Sequence, residues 1–103
     1  MANGRLGAVD LTANVDTTLY TCPAGKTATT TVSFSNRTTG PVNVKLALST
    51  SGAPAATDYL EYNTEIPALG VLERSAVVVG ATQVLVVTSN SANVSAVVFG
   101  FEE

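Results

Sequence analysis

Val42-Asn43-Val44-Lys45-Leu46-Ala47-Leu48-Ser49 alternates apolar and polar or small residues without a break. Successive side chains of an extended chain point to opposite faces. Val42, Val44, Leu46 and Leu48 therefore share one face, and Asn43, Lys45, Ala47 and Ser49 share the other. A slip of one residue would expose all four aliphatics, so the pairing register is firmly specified. The stretch predicts a strand of an antiparallel sheet with one face in a core and one face wet.

Working towards the N-terminus, Asn36-Arg37-Thr38-Thr39-Gly40-Pro41 is a loop, preceded by a long strand from Lys26 to Asn36. On that strand Thr30, Val32 and Phe34 share the inner face, while Thr29, Thr31, Ser33 and Ser35 share the outer one. Cys22-Pro23-Ala24-Gly25-Lys26 is a turn: Pro presets φ at the second position and Gly accepts positive φ two residues later. Thr17-Thr18-Leu19-Tyr20-Thr21 reads as a short strand before it. Residues 1–16 read as an arm, loosened by Gly4 and Gly7, with aliphatics too sparse for a core strand.

Towards the C-terminus, residues 50–57 form a loop of small residues, expected to be mobile or to serve as a contact surface, with room for a short helical turn within Pro54 to Tyr59. Weak alternation follows in Asp58 to Thr64. Further strands are expected at Val71 to Val79, Gln83 to Ser89 and Asn93 to Glu102. About seven short strands with turn signals between them predict an all-β fold. The expectation is one antiparallel β-sandwich, Ig-like or jelly-roll-like, over residues 17–103, with an extended N-terminal arm at 1–16.

Composition agrees. The chain has 103 residues, the size of one domain. Val and Thr dominate, and a branched Cβ fits a pleated surface better than a helix. Charged residues make up 13%, against about 25% in average proteins. The surface must then be covered by Thr, Ser, Asn and Ala, which suits a molecule that works against another protein. The five basic residues Arg5, Lys26, Arg37, Lys45 and Arg74 are scattered and the net charge is −3, so no nucleic-acid partner is expected. Met1-Ala2-Asn3-Gly4-Arg5 lacks the apolar run of a signal peptide, and Val84-Leu85-Val86-Val87 is far too short to cross a bilayer. No membrane partner is expected, and synthesis in a cytoplasm is.

Chemistry finds few handholds. Histidine is absent and Cys22 is alone, so neither an internal disulfide nor a His or Cys metal site is available. Cys22 reads as a small hydrophobe. Glu61 and Glu65 share one strand face and read as a solvated edge rather than a calcium site. No nucleophile has a base beside it, so no catalytic residue, metal or cofactor is expected and the enzyme class is the weakest reading. Among the aromatics, Tyr59 and Tyr62 flank Leu60 beside the small-residue loop and are candidate interface anchors. Val97, Phe99 and Phe101 occupy one face of the last strand while Val94, Ala96 and Val98 occupy the other. Such a strand is either central with a covered outer face or docked against a neighbour.

Thr18-Leu19-Tyr20-Thr21-Cys22-Pro23-Ala24-Gly25-Lys26, Val32-Ser33-Phe34-Ser35-Asn36-Arg37, Asp58-Tyr59-Leu60-Glu61-Tyr62, Val71-Leu72-Glu73-Arg74 and Phe99-Gly100-Phe101-Glu102-Glu103 together resemble small virion proteins of tailed bacteriophages of marine bacteria and cyanobacteria. The resemblance spans residues 17–103 and carries no active-site signature. It implies a non-enzymatic structural protein, made in the bacterial host cytoplasm and residing in the virion. Within the virion the expected role is a capsid decoration or cement protein, a homo-oligomer that binds the major capsid protein or other virion proteins and stabilises the head. A tail, baseplate or fibre-associated protein is the alternative, and a carbohydrate-binding module is a third class. The docking contacts expected are Leu6, Val9 and Leu11 on the arm, with Tyr59 and Tyr62.

Overall fold

The computed structural model describes residues 3–51 and 53–103. Residues 1 and 2 of the expected arm, and Gly52 of the small-residue loop, lie outside that range. Eight strands follow one another: β1 (Asn3–Leu11), β2 (Thr17–Thr21), β3 (Ala28–Asn36), β4 (Val42–Ser49), β5 (Tyr59–Ile66), β6 (Val71–Val79), β7 (Val84–Ser89) and β8 (Val94–Glu102). A 3₁₀ turn, Ala56–Asp58, leads into β5, within the stretch where a helical turn was expected.

The strands form two four-stranded sheets, ordered β1-β8-β3-β6 and β2-β7-β4-β5, and every neighbouring pair is antiparallel. β1 pairs with β8, β2 with β7, β3 with β6 and β4 with β5. The chain is thus one long hairpin folded over on itself, changing sheets at every connection except β4–β5. Of the two sandwich topologies expected, this nesting is that of the jelly roll.

The eighth strand comes from the N-terminus. The stretch expected as a free arm is extended, but it is not free: Asn3–Leu11 runs antiparallel to β8 as the sheet's edge. Leu11 is 2% exposed and belongs to the core, and Leu6 and Val9 pack partly against it. Of the two glycines that suggest looseness, Gly7 has a packing role. A Cβ on Gly7 would lie 2.4 Å from the Leu19 carbonyl oxygen, so only glycine lets β1 pass over β2.

The expected alternation is present. On β3, Ala28, Thr30, Val32, Phe34 and Asn36 are buried in turn, and on β4 Val42, Val44 and Leu46 face the same core. Burying a side chain such as Phe34 contributes about 1.5–3 kcal/mol. The polar members of the inner face are satisfied. The Thr30 hydroxyl donates to the Val77 carbonyl at 2.8 Å. The Asn36 carboxamide donates to the carbonyls of Gly40, Ile66 and Pro67 at 2.9–3.1 Å and accepts from the Thr38 amide and hydroxyl. Asn36 thereby clasps the β3–β4 loop to the β5–β6 loop. Cys22 is buried, its thiol 3.4 Å from the Lys26 carbonyl.

Edges and centres differ. The central pairs β3–β8 and β4–β7 run without a break in register. Each edge strand carries a bulge: at Leu6 on β1, Leu19 on β2, Ser75-Ala76 on β6, and Tyr62-Asn63 and Leu60 on β5. Bulges twist an edge away from further pairing and discourage edge-to-edge addition of strands.

Candidate functional site

The outer face of the β1-β8-β3-β6 sheet is the first candidate. Since Val94, Ala96 and Val98 of β8 point into the core, Val97, Phe99 and Phe101 point out. Phe99 is 38% and Phe101 41% exposed. Register sets their neighbours: Phe101 lies beside Thr29, which in turn pairs with Val78, itself 54% exposed. Phe99 lies between Arg5 and Thr31, and Val97 between Ala8 and Ser33. Exposed Val71 lies at the far end of the same face, opposite Ser35. The result is an apolar stripe set among hydroxyls, with charge at Arg5, Asp10 and Glu73 on the edge strands. Exposed apolar surface arranged in this way makes this face a candidate protein-interaction site.

The outer face of the β2-β7-β4-β5 sheet is built differently. Ala47, Val84 and Val86 point outward, yet they are buried in a second apolar cluster against which Tyr59 packs. The Tyr59 and Tyr62 rings meet edge to face at 4.9 Å. The bulge in β5 places Tyr62 and Asn63 opposite Lys45, and Asn63 takes a left-handed backbone with φ 52°. The Lys45 ammonium lies 4.7 Å from the Tyr62 ring centre.

Beside this corner lies a small open cleft of about 80 Å³. Four asparagines line it, Asn14, Asn43, Asn63 and Asn90, together with Lys45 and Thr88. They arrive from separate segments: the β1–β2 connection, the start of β4, the β5 bulge and the end of β7. Backbone bonds fix them. The Asn14 amide donates to the Ser89 carbonyl at 2.7 Å, the Asn90 amide to the Asn43 carbonyl at 3.0 Å, and the Asn43 amide to the Asn90 side-chain oxygen at 3.0 Å. The Thr88 hydroxyl donates to Asp16 at 2.6 Å.

One titratable group is clearly perturbed. The Tyr20 phenol is pushed well above its ordinary value, first by burial and then by its hydrogen bond to the Glu102 carboxylate. That bond ties β2 to the end of β8, and a backbone pair between Thr27 and Glu103 holds the same end. Tyr20 is a fastening between the sheets. Among the described residues no group of three or more His, Cys, Asp and Glu side chains could hold a metal ion. No helix among them is long and apolar enough to cross a membrane.

The structure separates the expected contacts into two groups. Tyr59 and Tyr62 do meet, but Tyr59 is half-buried on the second cluster and Tyr62 alone, at 60% exposure, reaches solvent broadly. Leu6, Val9 and Leu11 lie on the other sheet and turn towards the core, because β1 is recruited as a strand. Sequence reasoning left Val78 and the asparagine cleft unnoticed. The period of two in Val97, Phe99 and Phe101 did signal the apolar face. No local pattern signals the cleft, which four distant segments assemble. No family model, curated protein or solved structure matches the chain.

Proposed function

We propose that the chain is a non-enzymatic structural protein of a bacteriophage virion, a capsid decoration protein that binds the major capsid protein as a homo-oligomer and stabilises the head. The observation that supports this reading is the outward apolar stripe of half-buried Val97 and exposed Phe99, Phe101 and Val78 on one sheet. Removing such surface from water stabilises a contact by about 25 cal/mol per Å². A modest contact repeated in a symmetric oligomer becomes strong through effective concentration. The bulged edges favour docking by this face over addition of a strand to a neighbour's sheet. By bridging adjacent capsomers, the domain raises the cost of separating them.

Quantitative mass spectrometry of purified particles tests the proposal. A decoration protein is present in proportion to the major capsid protein. A handful of copies per particle would overturn decoration and place the chain in the tail, baseplate or fibre. Absence from washed particles would overturn a virion role altogether.

A further inference from the structure

The asparagine cleft on the outer face of the β2-β7-β4-β5 sheet has no part in the proposed docking. We propose that it is a shallow binding site for a neutral saccharide, engaging the hydroxyls along one edge of a ring. This inference is independent of the virion role.

The lining decides the ligand class. Small-molecule pockets are mostly apolar with a few polar groups, whereas here the lining is carboxamides, hydroxyls and one ammonium. A ligand in this cleft gains its affinity from hydrogen bonds. Each carboxamide sets two donors beside an acceptor, which matches adjacent sugar hydroxyls that both donate and accept. The Asn90 oxygen is committed to the Asn43 amide, so its NH₂ is left for a ligand.

Charge excludes the anionic alternatives. Lys45 is the one cation of the lining, and the Asp16 carboxylate accepts from Thr88 at one side. Glu65 pairs in register with Asn43 at another. Phosphate or a sulfated glycan would meet two carboxylates for one ammonium. A neutral ring meets no such penalty. Tyr62, adjoining Asn63 on the bulge, supplies an exposed aromatic surface beside the polar groups for the C–H face of a sugar.

The cleft is also set before a ligand arrives. Asn14 and Asn63 are held left-handed, at φ 61° and 52°, a conformation asparagine tolerates better than most residues. Preorganisation lowers the ordering cost of binding. The cleft, about 80 Å³, is far below the range of about 300–1,000 Å³ for enclosed ligand pockets, so it takes the hydroxyl edge of a ring and leaves the rest of the sugar in solvent. The apolar stripe lies on the opposite sheet, so both surfaces can be occupied together.

The test is a titration of the ¹⁵N-labelled full chain with glucose, galactose, mannose and N-acetylglucosamine in turn, and separately with sodium phosphate. At least one sugar is expected to give saturable shifts in the side-chain amide signals of Asn14, Asn43 and Asn63. Asn43→Ala is expected to weaken that binding about tenfold, the loss of roughly one good hydrogen bond. Asn63→Gly keeps the left-handed backbone while removing the carboxamide, and gives the same reading if Asn43→Ala disturbs the fold. Three results would each overturn the proposal: no saturable shift at the cleft with any of the four sugars, shifts unaffected by Asn63→Gly, or tighter binding of phosphate than of every sugar.

Discussion

The two outer faces of this sandwich start from similar strands and end with opposite surfaces. On the β1-β8-β3-β6 sheet, β8 sends Val97, Phe99 and Phe101 outward, with Val97 half-buried and both phenylalanines exposed. On the β2-β7-β4-β5 sheet, β7 sends Val84 and Val86 outward and both are buried, with Tyr59 packed against them. The second sheet seals its apolar residues with its own edge strand and leaves a polar cleft alongside. The first leaves its apolar residues partly exposed. Outward apolar residues therefore stay open to a partner only where the chain supplies no cover of its own.

Substitutions can break or sharpen this contrast, and the largest effect is expected at Gly100. It has φ 148°, and a Cβ there would lie 2.0 Å from the Thr29 carbonyl oxygen, in the pairing that carries the bare stripe. Gly100→Ala should destabilise the fold by about 4 kcal/mol, measured by urea unfolding. Tyr59→Ala should strip the sealed face and make the two faces alike. It should cost about 2 kcal/mol and raise binding of a hydrophobic dye.

Tyr20 couples the faces by tying β2 to β8. Its folded-state pKa is raised above the unfolded value of 10.0. The folded state then holds the proton more tightly, so the contribution is complete below pH 10 and falls as pH rises above it. Thermal unfolding of Tyr20→Phe should show a shallower alkaline loss than the parent chain. The smallest effect is expected at the edge of the bare sheet. Ala76 sits exposed in the β6 bulge at φ 59°, and Ala76→Gly should raise stability by about 0.5–1 kcal/mol by relieving the left-handed strain.

How much of this was legible depended on distance along the chain. The β4 alternation at Val42–Ser49 and the inner face of β3 were readable, because burial of one face imposes a local period of two. The Pro23–Gly25 turn was readable from the φ values its residues favour, and Gly25 takes φ 77°. β1 was not readable as a strand. Its sparse aliphatics suffice only because β8 supplies the partner, and Gly7 looks like slack until the Leu19 carbonyl is seen against it. Of the site, the outward Val97, Phe99 and Phe101 were visible as a pattern, while whether anything covered them was not. The cleft was invisible, since Asn14, Asn43, Asn63 and Asn90 become neighbours only through strand pairing and the β5 bulge.

Cosedimentation with purified phage heads tests the role of the bare face most directly, comparing the parent chain with Phe99→Asp/Phe101→Asp and with Tyr62→Asp. Both phenylalanines are partly solvent-exposed, so the double variant should stay folded by circular dichroism. Its binding to heads should fall about a hundredfold, as expected for losing two apolar anchors, while Tyr62→Asp binds as the parent does. Undiminished binding by the folded double variant, or a loss confined to Tyr62→Asp, would contradict the account.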